Sequence, residues 1–144
     1  MLSVVLSVGC GGQERPSPER RERLDASDPG LLMRGLVRSA GKGRYGEMWD
    51  ALEPGGQRLV NRERFAVCLR QVAAGAAIPL SEIPVTVVRV RKRGQEAAVV
   101  LRAATPVGPV MRTVQAIEIN GRWRWRLPSE LASAFAGGRC PPGP

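Results

Sequence analysis

The sequence predicts an α+β domain over residues 28–136, with three helices first and an antiparallel sheet of about four strands packed on them. Two observations carry this expectation. Apolar quartets at i, i+3, i+4, i+7 recur between residues 33 and 72, the period of helices that bury one face. From residue 84 onward the period changes to two, β-branched residues dominate, and the turn dipeptide Asn120-Gly121 separates two apolar runs.

The first helix presents Met33, Leu36, Val37 and Ala40. It opens at Asp28-Pro29, an N-cap followed by a proline whose missing N–H costs nothing in the first turn, and Gly41 ends it. The second presents Tyr45, Met48, Trp49 and Leu52 and closes at Glu53-Pro54-Gly55-Gly56. The third presents Phe65, Cys68, Leu69 and Val72, with Asn61 as N-cap, Glu63 in the first turn and Gly75 as its stop. After a linker at 75–83 come the strands PVTVVRVRK, EAAVVLRAA and VMRTVQAIEI, broken at Arg93-Gly94 and at Pro106, Gly108 and Pro109. The return strand RWRWRL sets Trp123, Trp125 and Leu127 on one face and Arg122, Arg124 and Arg126 on the other. A short helix from about Ser129 to Gly137 ends the domain, leaving a tail at 137–144.

A chain of 144 residues suits one domain. Its net charge of +9 is uneven: residues 11–28 sum to −1 and residues 29–144 to +10. A body this basic is drawn to polyanions such as nucleic acid, anionic lipid or cell-wall polymers. There is no histidine, and the three cysteines, at 10, 68 and 140, have no metal-site spacing. Ser-His-Asp and Cys-His machinery is therefore excluded, and no catalytic residue, metal ligand or cofactor is assigned.

Leu2 to Val8 form an apolar run too short to span a bilayer, of the length of the core of an export signal. GGQERPSPERRERLDASDPG follows, with the composition of a flexible tether. An apolar leader, the small residue Gly9, Cys10 and a solvated tether together resemble a bacterial lipoprotein signal. The resemblance implies a signal-like segment at 1–9, lipidation at Cys10, a tether at 10–27 and an extracytoplasmic, membrane-anchored address. No Lys or Arg precedes Cys10, so either the basic start of the signal lies upstream of Met1 or the match is accidental.

The order of elements, and in particular GRYGEMWDALEPGGQRLVNRERFAVCLRQ and INGRWRWRL, resembles the nuclear transport factor 2-like superfamily, best its small secreted and lipid-anchored bacterial members. The resemblance implies a cone-shaped α+β fold over 28–136. The chain lacks the histidine that pairs with an aspartate in the polyketide-cyclase-like enzymes of that superfamily, so their catalytic function does not carry over.

Three groups of residues are candidates for sites. Cys68 and Cys140 would join as a disulfide in an oxidising compartment, the alternative for Cys68 being a small core residue. Tyr45, Trp49, Trp123 and Trp125 could line a pocket, with Glu47, Asp50 or Glu118 as polar anchor, although a helical quartet favours the core for the first two. Arg89, Arg91, Lys92, Arg93, Arg122, Arg124 and Arg126 would share a basic sheet face, either simply solvated or drawn to anionic lipid or wall polymer, with nucleic acid the least favoured partner. The expected function is a lipid-anchored, non-catalytic domain binding a protein partner or small ligand. The alternatives are a small enzyme using carboxylates inside the cone, and a cytosolic polyanion or nucleic-acid binder.

Overall fold

The computed structural model describes residues 24–143. Helix α1 (Pro29–Gly41) starts on Asp28, whose carboxylate accepts the amides of Gly30 and Leu31 at 2.8 and 3.3 Å. Its buried stripe runs through Leu32, Met33, Leu36 and Ser39, while Val37 and Ala40 are half-buried. Helix α2 (Tyr45–Asp50) is short because Leu52 leaves the helix to bridge Trp125 and Glu53 is extended ahead of Pro54. Pro54 then opens a further helix, α3 (Pro54–Leu59), in the stretch expected to be a loop. Helix α4 (Arg62–Ala74) is capped by Asn61, whose side chain accepts the Arg64 amide at 2.8 Å.

A single 3-10 turn (Leu80–Glu82) leads to β1 (Val85–Arg93), β2 (Glu96–Thr105), β3 (Gly108–Ile119) and β4 (Arg122–Trp125), followed by α5 (Ser129–Ala136). The strands form one antiparallel meander in the order β1-β2-β3-β4. The architecture is α+β, but the expected set of three N-terminal helices on a cone-forming sheet is corrected. Among the described residues four helices precede the sheet, only three of the five helices reach seven residues, and one of those, α5, follows the sheet. Periodicity joined Leu52 to Tyr45, Met48 and Trp49. Pairing with Trp125 and the proline after Glu53 take it out of that helix.

Register decides which side chains face the helices. Val87 pairs with Leu101 and Arg89 with Val100, so Val88 is an extra, bulged residue. Val87 and Val90 lie against Gly30 of α1, where an added Cβ would come within 3.3 Å of Val90. Beyond the bulge, therefore, Val90 and Lys92 face the helices, while Arg89, Arg91 and Arg93 face outward. At the Asn120-Gly121 turn both φ angles are positive, 52° and 74°, as a type I′ hairpin needs.

The β4 edge is closed by neighbouring chain. The Trp123 amide donates to Ala26 O at 2.8 Å, the Trp125 amide to Ala51 O at 3.1 Å, and the Glu53 amide to Trp125 O at 2.9 Å. The core centres on fully buried Phe65, which meets Trp125 edge-on at 6.3 Å and Phe135 at 5.9 Å. Cys68 on α4 is bonded to Cys140, their Cα atoms 5.1 Å apart, and the tail is held down further with Pro141 buried.

Candidate binding groove

A groove of about 1140 Å³ runs between α2, α4 and β4. Its floor contains Tyr45 and Trp123, both nearly buried at 8% and 4% exposure. Ala66 and half-exposed Val67 of α4 add apolar wall. Around them stand five arginines, 44, 62, 70, 122 and 124, against three acids, Glu47, Asp50 and Glu63.

Two of the three acids are already engaged. Asp50 takes Arg62 side-on, Nε to Oδ1 at 2.9 Å and Nη2 to Oδ2 at 3.1 Å. That hydrogen-bonded pairing holds the Arg62 guanidinium above its ordinary range, against a smaller opposing effect of burial. Gly46 makes the pairing possible: a Cβ there would lie 2.5–2.7 Å from the guanidinium atoms. Arg124 crosses from β4 and donates from Nη1 to Asp50 O at 2.8 Å. Glu47 accepts the Ser39 hydroxyl at 2.9 Å and lies 3.8 Å from Arg44. Arg70, Arg122 and Glu63 have no hydrogen bond or ion pair from their side chains among the described residues.

The expected pocket aromatics divide. Tyr45 and Trp123 line the groove, whereas Trp49 and Trp125 donate their indole N–H groups to Val60 O at 2.8 Å and Met48 O at 2.7 Å. Glu47 and Asp50 line it too, while Glu118 sits opposite Trp123 in the sheet. Of the expected basic face, Arg89, Arg91, Arg93 and Arg122 make no side-chain ion pair among the described residues. Arg126 is held by Glu53 at 3.2 Å and Glu96 at 3.7 Å. Lys92 lies on the helix side, 3.2 Å from Asp28 and 5.8 Å above the Trp123 ring. Strand alternation puts it there, since its neighbours Arg91 and Arg93 face outward. Cys10, the expected lipidation position, lies outside the described residues.

Sequence reasoning missed Arg44, Arg62 and Arg70, which only the packing of α2 on α4 brings together. The available signal was Gly46, a residue that weakens a helix and so invites a question about close approach. Chemically the groove can hold and orient an anion. Among the described residues no group of three or more His, Cys, Asp or Glu could hold a metal ion.

No protein-family model matches the chain, and no curated protein matches it. Among solved structures it is similar to a SEC-C motif containing protein from Rhodopseudomonas palustris, at 15% identity and TM-score 0.54, covering 72% of this chain and 78% of that one. It is also similar to a SEC-C motif containing protein from Psychrobacter arcticus, at 17% identity and TM-score 0.53, covering 73% of this chain and 62% of that one. These neighbours overturn the expected identity as a lipoprotein with a nuclear transport factor 2-like domain. The helix–loop–helix and closing-hairpin patterns behind that expectation are patterns of residue type and spacing, which unrelated families share. At this identity the likeness is one of fold: the chain folds as SEC-C motif containing proteins of two bacteria do.

Proposed function

We propose that the protein is a small binding domain without catalytic activity, whose groove takes an acidic segment of a partner protein. The observation that carries this reading is the pair Arg70 of α4 and Arg122 of β4, which line the groove with Tyr45 and Trp123 and have no side-chain partner among the described residues. Guanidinium forks suit carboxylates, and an aromatic floor suits the apolar residues between them. The engaged acids Glu47 and Asp50, together with Glu63, disfavour a uniformly anionic polymer and favour a peptide with spaced charges. The groove volume of about 1140 Å³ exceeds that of an ordinary enclosed small-molecule site and suits an extended segment. A carboxylate enzyme would need two free acids in the groove, whereas Asp50 is bound side-on to Arg62 and Glu47 accepts the Ser39 hydroxyl, which leaves Glu63 alone.

We also propose an oxidising, extracytoplasmic place of work, supported by the Cys68–Cys140 bond. Thiol alkylation in intact cells of the native host tests that address. Resistance of both cysteines to labelling until reductant is added is expected, and prompt labelling of both contradicts it. The binding reading is tested by fluorescence anisotropy with acidic, neutral and basic peptides of equal length. Acidic peptides should bind best, and R70E/R122E should weaken them about tenfold or more. Equal binding of basic peptides, or no effect of the double variant, would refute the reading.

A further inference from the structure

The far end of the sheet, where β2 turns into β3 away from the groove, has a composition unlike the rest of the surface. Between Ala97 and Ile117 there is no acidic residue, and from Ile83 to Ile117 six cations face one acid, Glu96. The turn carries Val107, 96% exposed, and behind it Met111 and Val110 are 52% and 38% exposed. Val110 and Arg112 share the helix-facing row with Ala103 and Leu101, yet both are exposed, so the helix layer stops short of this end. From Ala103 to Met111 the only polar side chain is Thr105, whose hydroxyl already donates to Gly108 O at 2.5 Å. Pro106 and Pro109 remove two backbone donors from the same stretch. The tip therefore has little to lose by leaving water.

Behind the tip stand Arg102 and Arg112, on opposite faces of the hairpin because Arg102 pairs with Met111 and Arg112 with Leu101. Neither makes an ion pair among the described residues. They lie three and four residues from the ends of the turn, about 10–13 Å along the strands. That length is at or just beyond the roughly 5–10 Å to which an interfacial apolar segment sinks, so the long arginine side chains can reach the phosphates while the tip is inserted. Arg89, Arg91 and Arg93 stand farther back on β1, toward the opposite end of the sheet, since Arg89 pairs with Val100 and Arg93 with Glu96.

We propose that the β2–β3 hairpin docks the domain on an anionic lipid bilayer, with Val107, Val110 and Met111 inserted and Arg102 and Arg112 on the lipid phosphates. A second copy of the chain is a poorer occupant, since the arginine collars would face each other and two prolines interrupt the strand ends. The site is separate from the groove and does not rest on its assignment.

The test is co-sedimentation of the full chain with vesicles of phosphatidylcholine, with and without phosphatidylglycerol. Binding should require phosphatidylglycerol, and both V107D and R102E/R112E should weaken it by about tenfold or more. Position 107 is almost fully exposed, so V107D should leave the melting temperature unchanged. In V107W, brominated lipids should quench fluorescence beyond the level seen for wild type. The R70E/R122E groove variant should bind vesicles as wild type does. Three results overturn the proposal: V107D binding normally with no quenching of V107W; soluble polyphosphate bound as well as the vesicles; or V107D splitting a dimer while wild type ignores vesicles.

Discussion

Replacing Cys140 by serine opens the Cys68–Cys140 bond and leaves Cys68, fully buried on α4, as a small apolar residue in an intact core. The bond closes a span of 72 residues that contains the whole sheet and α5, so its loss frees a large loop in the unfolded chain. The chain-entropy relation puts the loss at about 4 kcal/mol for a loop of this size. At about 2 cal/mol/K per residue, a domain of this length should lose roughly 15 °C of melting temperature. Chemical denaturation and calorimetry on wild type, wild type with reductant, and C140S make the comparison. The two reduced states should agree, both far below the oxidised protein, with a steeper denaturant dependence because the opened unfolded chain exposes more surface. A loss under about 1 kcal/mol would show that closure of this loop is not what stabilises the domain. Burial of Pro141 and the hydrogen bond from Arg64 to Gly138 O would then be holding the tail by themselves.

Three further outcomes follow from single contacts. Gly46→Ala should displace the Arg62 guanidinium from Asp50 yet change stability by less than about 1 kcal/mol. The helix gains roughly what an exposed ion pair loses, and the side-chain Nε–H signal of Arg62 reports the displacement. Trp125→Phe should cost about 1–3 kcal/mol in urea denaturation, because it leaves Met48 O, accepted at 2.7 Å, without its indole donor in the core. Burial raises the Asp28 carboxyl, but the Lys92 contact and the Gly30 and Leu31 amides outweigh it and hold the group below its ordinary value of 3.8. Its contribution is then complete above the unfolded value and is lost as pH falls through the lower folded value. Urea midpoints at acid pH should fall less steeply in D28N than in wild type.

The strands were legible because each is bounded by turn chemistry that admits few alternatives, and Asn120-Gly121 closes the β3–β4 hairpin with both φ angles positive. Helix α1 was legible for the same kind of reason, through Asp28-Pro29. The break at Leu52 was not, because periodicity sees only residue type, whereas the bridge to Trp125 joins residues 73 positions apart. Lys92 was misplaced against the alternation itself: with Arg89, Arg91 and Arg93 outward, the residue between the last two faces the helices beside Val90. In the groove, Tyr45 and Trp123 could be singled out as aromatics, but Arg62 and Arg70 look like ordinary solvated helix charges until α4 packs on α2. The acid-free stretch from Ala97 to Ile117 was fully visible in the sequence, and it gained meaning only once Val107 and Met111 proved exposed at one end of the sheet.

Recognition of an acidic segment by the groove is tested residue by residue by amide chemical-shift mapping. On adding an acidic peptide, shifts should concentrate at Val67, Arg70, Arg122 and Trp123 and vanish in R70E/R122E. Shifts confined to Arg89, Arg91 and Arg93 on the outer sheet face, with the groove silent, would show that the groove is not the binding site.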